Sequence, residues 1–101
     1  MKIIYTTTRN EKEAKKIAMT LIDERLAACA NIFNISSIYR WDKKINESYE
    51  VAMFIKTKSS AVNNAIKRIK ELHSYDIPAI LVLNVEKGYE KFLSWVNGEV
   101  K

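Results

Sequence analysis

An α+β sandwich of the ferredoxin-like class is the fold the sequence predicts: a split βαβ pair, with helices on one face of an antiparallel sheet and a further helix at the end. Three observations point to it. The chain has 101 residues, 48% of them hydrophobic, enough for one compact domain and too few for two, so residues 1–101 are read as a single unit. Runs rich in β-branched and aromatic residues alternate with helix-periodic runs in the order β-α-β, β-α-β, helix. Two successive strands flank a short polar link, which marks a long hairpin.

"KIIYTTT" at 2–8 reads as the first strand. In "NEKEAKKIAMTLIDERLAA", Asn10 with Glu13 has the form of a capping box, and Ala14, Ile17, Ala18, Leu21, Ile22 and Leu26 form one apolar stripe. The next β-rich run is "CANIFNISSIYRW", and "SYEVAMFIK" then alternates with Tyr49, Val51, Met53 and Ile55 on one face. The link "DKKINE" has no glycine, so Asp42 or Asn46 is expected to supply any left-handed turn residue. Strands of roughly ten residues at about 3.3 Å each overrun so small a core, and the overhang needs a partner.

Ser59 or Ser60 is placed to cap the second helix, whose stripe is Val62, Ala65, Ile66, Ile69 and Leu72 or His73. "PAILVLNV" is a continuous apolar run, the expected look of a strand that is central or covered on both faces, with Pro78 harmless at its start. "GYEKFLSWVNG" puts Tyr89, Phe92, Leu93 and Val96 on one helical face, with Gly98 as a stop signal.

Several function classes drop out. The formal charge is +5, but the lysines are dispersed and mostly have acids nearby; "IKRIK" at 66–70 reads as a solvated helix face, and no nucleic-acid partner is expected. Two glycines in the whole chain leave no phosphate-cradling loop. No apolar run approaches the roughly 20 residues of a membrane span, and the start turns polar too soon for a signal sequence, so no membrane association and a cytoplasmic location are expected. The single Cys29 excludes an internal disulfide and a multi-thiolate zinc site within one chain. Nothing in its neighbourhood activates Cys29, and nothing supplies a base for a serine nucleophile.

The candidate site residues each have a plainer reading. His73 is either a ligand or a helix C-terminal residue set against the helix dipole, and Cys29 either a thiol donor or a small buried hydrophobe. Asp76 adds a carboxylate, but three or four donors are needed for a zinc or copper site. Tyr39 and Trp41 lie two apart on a strand and share a face, for core, interface or ligand stacking. Lys56, followed by Thr57, either faces an anion or is a solvated strand end.

Five blocks, "DERLAACANI", "SSIYRWDKKI", "EVAMFIKTK", "HSYDIPAI" and "FLSWV", follow in the order and spacing of the CutA divalent-cation-tolerance family, and the resemblance covers nearly the whole chain. It implies a ferredoxin-like fold assembled as a homotrimer, similar in build to the PII signalling proteins, with three ribbons pairing edge to edge. It also implies binding of a divalent metal, copper first, and no catalytic activity. Mapped onto this chain, the inter-subunit cleft holds Tyr39, Trp41, Lys56, Thr57, His73 and Tyr75, with Cys29 nearby and His73, Cys29 and Asp76 as the metal donors. The alternative it leaves open is a PII-like sensor binding a small anionic metabolite through Lys56, stacked on Tyr39 or Trp41. This chain departs from the family pattern at Ser74, Asp76, Ala79 and Lys43. Thr6 and Leu72 stand where some copper-binding members carry a cysteine and a second histidine.

Overall fold

The computed structural model describes all residues, Met1–Lys101. The elements are β1 (Lys2–Thr8), α1 (Glu11–Asp23), β2 (Cys29–Trp41), β3 (Lys44–Thr57), α2 (Val62–Leu72), β4 (Ile80–Asn84) and α3 (Glu90–Glu99). A single 3₁₀ turn, Ser59–Ala61, leads into α2. The four strands form one antiparallel sheet in the order β2-β3-β1-β4, as the split βαβ reading requires.

The core lies between the sheet and two helices. Ile4, Val51, Met53 and Ile55 point from the sheet into the stripe Ala14, Ile17, Ala18 and Leu21 of α1 and Ala65 and Ile69 of α2. Alanines at three of those helix positions let the backbones approach closely; each fully buried isoleucine or leucine contributes about 1.5–3 kcal/mol. A smaller cluster of Ala28, Ala61, Val96 and Val100 seats α3.

The start of α1 follows from its sequence. Asn10 Oδ1 accepts the Glu13 N–H at 2.8 Å, satisfying a free donor of the first turn. The reciprocal bond is displaced by one residue, because Glu13 Oε1 accepts from the Arg9 N–H at 2.9 Å rather than from Asn10. The other oxygen, Oε2, accepts from the Ser74 N–H at 2.9 Å. One carboxylate thus ties the α1 entrance to the α2–β4 junction. Partial burial pushes the Glu13 pKa up, but the two N–H donors and the nearby His73 outweigh it, leaving the carboxyl below its ordinary value of 4.5.

Four local expectations are corrected. No serine side chain caps α2: Ser59 and Ser60 are used in the 3₁₀ turn, and Ala61 is the cap residue. Gly98 lies inside α3 and has no positive φ; the α3 carbonyls of Gly98 and Glu99 accept instead from the Arg25 guanidinium, at 3.1 and 3.0 Å. Asp42 is left-handed as expected, at φ 52°, but the hairpin link is only Asp42 and Lys43, and Lys43 shares that conformation at φ 62°, a primed two-residue turn that matches strand twist. The remaining "KINE" belongs to β3, lengthening the strands to 13 and 14 residues. Finally, β4 is neither central nor covered on both faces. It is an edge strand, with Leu81, Val82 and Leu83 all exposed.

The ribbon leaves the body as expected. The molecule extends 45 Å along its longest axis and has a radius of gyration of 14.1 Å, against about 13 Å for a compact chain of this length.

Two outcomes follow. Lys43→Gly removes the left-handed strain of a residue with a side chain and should raise stability by about 0.5–1 kcal/mol, read from the urea midpoint. Glu13→Gln should cost about 1 kcal/mol near neutrality. Because the folded Glu13 pKa is depressed, its contribution is present above the unfolded pKa of about 4.5 and is lost as pH falls through the folded pKa. The gap between wild type and Glu13→Gln should therefore close below pH 4.5, seen in melts across that range.

Candidate functional site

The face of the sheet away from α1 and α2 is apolar and open. Tyr5 of β1, Phe33 of β2 and Phe54 of β3 stack in a row, with ring centroids 5.8 Å apart for Tyr5–Phe54 and 5.2 Å for Phe33–Phe54. Leu81 and Leu83 of β4 lie opposite Tyr5 and Ile3 of β1 and extend the row to the sheet edge. Beyond the helices the ribbon is apolar on the other side too, where Ile38, Ile45 and Tyr49 are 70%, 72% and 86% exposed.

At the ribbon end of the open face lies a cavity of about 1070 Å³. Tyr5, Thr7 and Arg9 wall it from β1 and its exit, Tyr39 and Trp41 from β2, Ser48 and Glu50 from β3, and Tyr75 and Asp76 from the α2–β4 junction. That junction is held by side chains. His73 Nε2 is 2.8 Å from the Thr7 carbonyl, and its Nδ1 accepts the Tyr75 N–H at 3.1 Å. Only the neutral tautomer with a proton on Nε2 makes both bonds. The His73 and Tyr75 rings stack at 4.8 Å, and the Tyr75 hydroxyl donates to Glu50 Oε2 at 2.7 Å. Burial, then the hydrogen bond to the Glu50 carboxylate, pushes the Tyr75 pKa well up, so the phenol stays a donor across the physiological range.

The other expected site residues lie at the far end of the sheet, Cys29 and Lys56 on this open face and Thr57 on the helix-facing side. Cys29 is half-buried at the start of β2, directly opposite Lys56 of β3. The Lys56 ammonium donates to Asn31 Oδ1 and sits 5.5 Å from the centre of the Phe92 ring. Thr57 is fully buried, and its hydroxyl donates to the Leu26 carbonyl at 2.7 Å. Along β3, Ala52 pairs with Thr7 and Lys56 with Cys29; four residues at about 3.3 Å each put Cys29 about 13 Å down the sheet from the His73 end. Tyr39 pairs with Asn46, ten residues from Lys56, so the expected stacking of Tyr39 or Trp41 beside Lys56 does not form within one chain.

One copy therefore brings together Tyr39, Trp41, Tyr75 and Asp76, with His73 behind them, and leaves Cys29, Lys56 and Thr57 apart. No three His, Cys, Asp or Glu side chains gather as a metal-binding group. Thr6 is buried on the helix-facing side and its hydroxyl has no partner, so that position does not reach the cavity. Sequence reasoning missed Tyr5, Arg9 and Glu50. The signal was the two-residue alternation, which carries Tyr5 and Thr7 onto one face, with Arg9 just beyond the strand end, and sets Glu50 two residues from Ala52 on another strand of that face.

A family model of the CutA1 divalent ion tolerance protein matches residues 2–99. The chain is 42% identical to the divalent-cation tolerance protein CutA of Pyrococcus horikoshii, over all of this chain and 99% of that one. Against the human protein CutA the identity is 43%, over 91% of this chain and 52% of the human sequence. The crystal structure of CutA1 from Pyrococcus horikoshii superposes with a TM-score of 0.96 at 40% identity, covering 100% of this chain and 99% of that one. A PII-like protein CutA from Nostoc, in apo form, superposes at 0.93 with 29% identity, covering 100% and 98%. With a family match along almost its entire length, and the same sheet order and ribbon that the five sequence blocks implied, the chain belongs to the CutA1 divalent ion tolerance family.

Proposed function

We propose that this protein is a non-enzymatic homotrimer that binds a divalent metal ion, copper first, in clefts between its subunits, as part of the response to metal ions. The observation that carries this reading is the division of the candidate donors. Asp76, Glu50 and His73 stand at one end of an uncovered apolar face and Cys29 at the other, about 13 Å away along the sheet. A cleft shared between copies can collect donors that one copy holds apart.

The surface chemistry supports the assembly. β2 and β4 are free strand edges, and an exposed apolar edge is a template for pairing with another chain. Pairing the β2 edge of one copy with the β4 edge of the next is head-to-tail, and three copies related by a threefold rotation would close it as a ring. Packing of the open faces against one another within such a ring would cover Leu81 and Leu83, which explains why so apolar a strand sits at an edge. His73 reaches a metal only through Nδ1, which must first release the Tyr75 N–H, at a cost of about 1 kcal/mol. Metal binding on this reading is therefore weak and is coupled to movement of the Tyr75 segment.

One observation favours a second reading, a PII-like sensor of a small anionic metabolite. Four of the five tyrosines and one of the two tryptophans line the cavity, a composition suited to an organic ligand rather than a bare ion.

Sedimentation at micromolar concentration should give three copies, and Phe54→Glu, which puts a charge in the middle of the open face, should give a smaller species. A folded wild-type monomer would remove the shared cleft. Calorimetric titration with copper(II) should show binding weakened about tenfold or more by His73→Ala and also by Asp76→Ala; equal affinities in all three proteins would reject these donors.

A further inference from the structure

The second reading left the anion partner at Lys56, yet Lys56 is occupied by Asn31 and Phe92 at the far end of the face. The arginines show a different division. Arg25 caps the end of α3, and Arg68 forms a two-pronged pair with Glu24. The guanidinium groups of Arg9 and Arg40 have no partner in the chain, and both residues line the cavity. They are set apart along the ribbon. Thr8, just before Arg9, is paired with Val51 of β3, and Arg40 is paired with Ile45, six residues or about 20 Å further out. A small ligand can therefore use one of them.

Arg9 has the better surroundings. It follows the last residue of β1 and lines the cavity together with Tyr5 and Thr7. Tyr75 is held beside the same strand through the chain from Thr7 O to His73 to the Tyr75 N–H, and its hydroxyl is fixed on Glu50. Tyr5 and Tyr75 are both half-buried, so their rings are pre-positioned and lose little freedom on binding. A free guanidinium fork in a cavity that two half-buried tyrosines also line matches a planar group that ends in an oxyanion.

Charge sets the valence. Glu50 and Asp76 on the same walls offset Arg9 and Arg40, so the cavity is balanced and its positive charge is local to each arginine. That arrangement suits one anionic group and disfavours a dianion, which would bring surplus charge close to Glu50 and Asp76. We propose that Arg9 anchors the carboxylate of a small aromatic monocarboxylic acid, with the ring of the acid lying between Tyr5 and Tyr75. This rests on the cleft-sensor reading and moves its anion contact from Lys56 to Arg9.

The test uses the full chain, labelled with nitrogen-15, titrated with benzoate, phenyl phosphate and benzylammonium and followed by amide chemical shifts. Benzoate should give saturable shifts at Thr7, Arg9 and Tyr75, with phenyl phosphate weaker and benzylammonium weakest. Arg9→Ala should weaken benzoate at least tenfold, Arg9→Lys less, and Lys56→Ala not at all. The Arg9 side chain is exposed and makes no contact that folding requires, so the unliganded spectrum of Arg9→Ala should match wild type away from residue 9. Benzoate binding that survives Arg9→Ala but is lost in Lys56→Ala overturns the Arg9 assignment and leaves the cleft-sensor reading standing. Phenyl phosphate binding more tightly than benzoate overturns the monoanion inference. If no probe saturates while copper(II) still binds, the cleft-sensor reading fails, and the Arg9 proposal falls with it.

Discussion

One face of the sheet is left open, apart from its far end, where Phe92 of α3 lies beside Lys56. α1 and α2 cover only the side carrying Ile4, Val51, Met53 and Ile55, and the opposite side presents Tyr5, Phe33, Phe54, Leu81 and Leu83 to solvent in a single copy. Apolar surface continuous across four strands and ending at two free edges is of the kind that marks an interaction surface. It also places the site, because the cavity is the part of this face that the outward-running ribbon and the α2–β4 junction wall in. Fold, proposed assembly and proposed ligand site thus share one cause.

The junction owes its shape to side chains more than to backbone ladders. Residues 73–79 lie outside any helix or strand, yet Glu13 holds Ser74, His73 holds Tyr75, and Tyr75 holds Glu50. Each bond takes one group from the junction and one from α1, the junction itself or β3, so the wall is fixed relative to both layers. The arrangement gives His73 a mechanical role that its position at the end of α2 does not suggest. Any ligand that competes for the ring nitrogen necessarily loosens the Tyr75 wall, and a ligand that leaves the ring alone finds that wall rigid.

The element order, the ribbon and the α1 cap could be read from the chain because each rests on local periodicity or on a short-range hydrogen bond. Asn10 with Glu13 is such a case, and so is the alternation through Val51, Met53 and Ile55. β4 departs from its expected place for a physical reason: "ILVLN" is apolar on both faces because it needs cover, and a sequence does not say whether that cover comes from the same chain or another. Lys43 in a left-handed conformation was equally hidden, since the turn takes its geometry from strand register, with Asn46 donating to the Trp41 and Lys44 carbonyls beneath it. Within the site, residue identities were legible but their grouping was not. Lys56 and Tyr39 sit on paired strands, and only the register shows that ten residues of β3 separate their pairing positions.

The slender core connects assembly to ligand binding. Alanines fill three helix positions against the sheet, and the outer ribbon adds length but no shared core, so a single copy has little burial to offset the entropy of ordering the ribbon. On the proposed assembly, stability depends on subunit concentration, and anything bound between copies stabilises by mass action in proportion to its occupancy. A cleft ligand held by groups from two copies then acts on assembly and on folding together. A ligand held wholly by Arg9, Tyr5 and Tyr75 acts mainly on the junction of its own chain. The two readings of the site therefore differ in how far binding is felt: metal shared across a seam shifts the association equilibrium, and an acid anchored at Arg9 leaves that equilibrium nearly where it was.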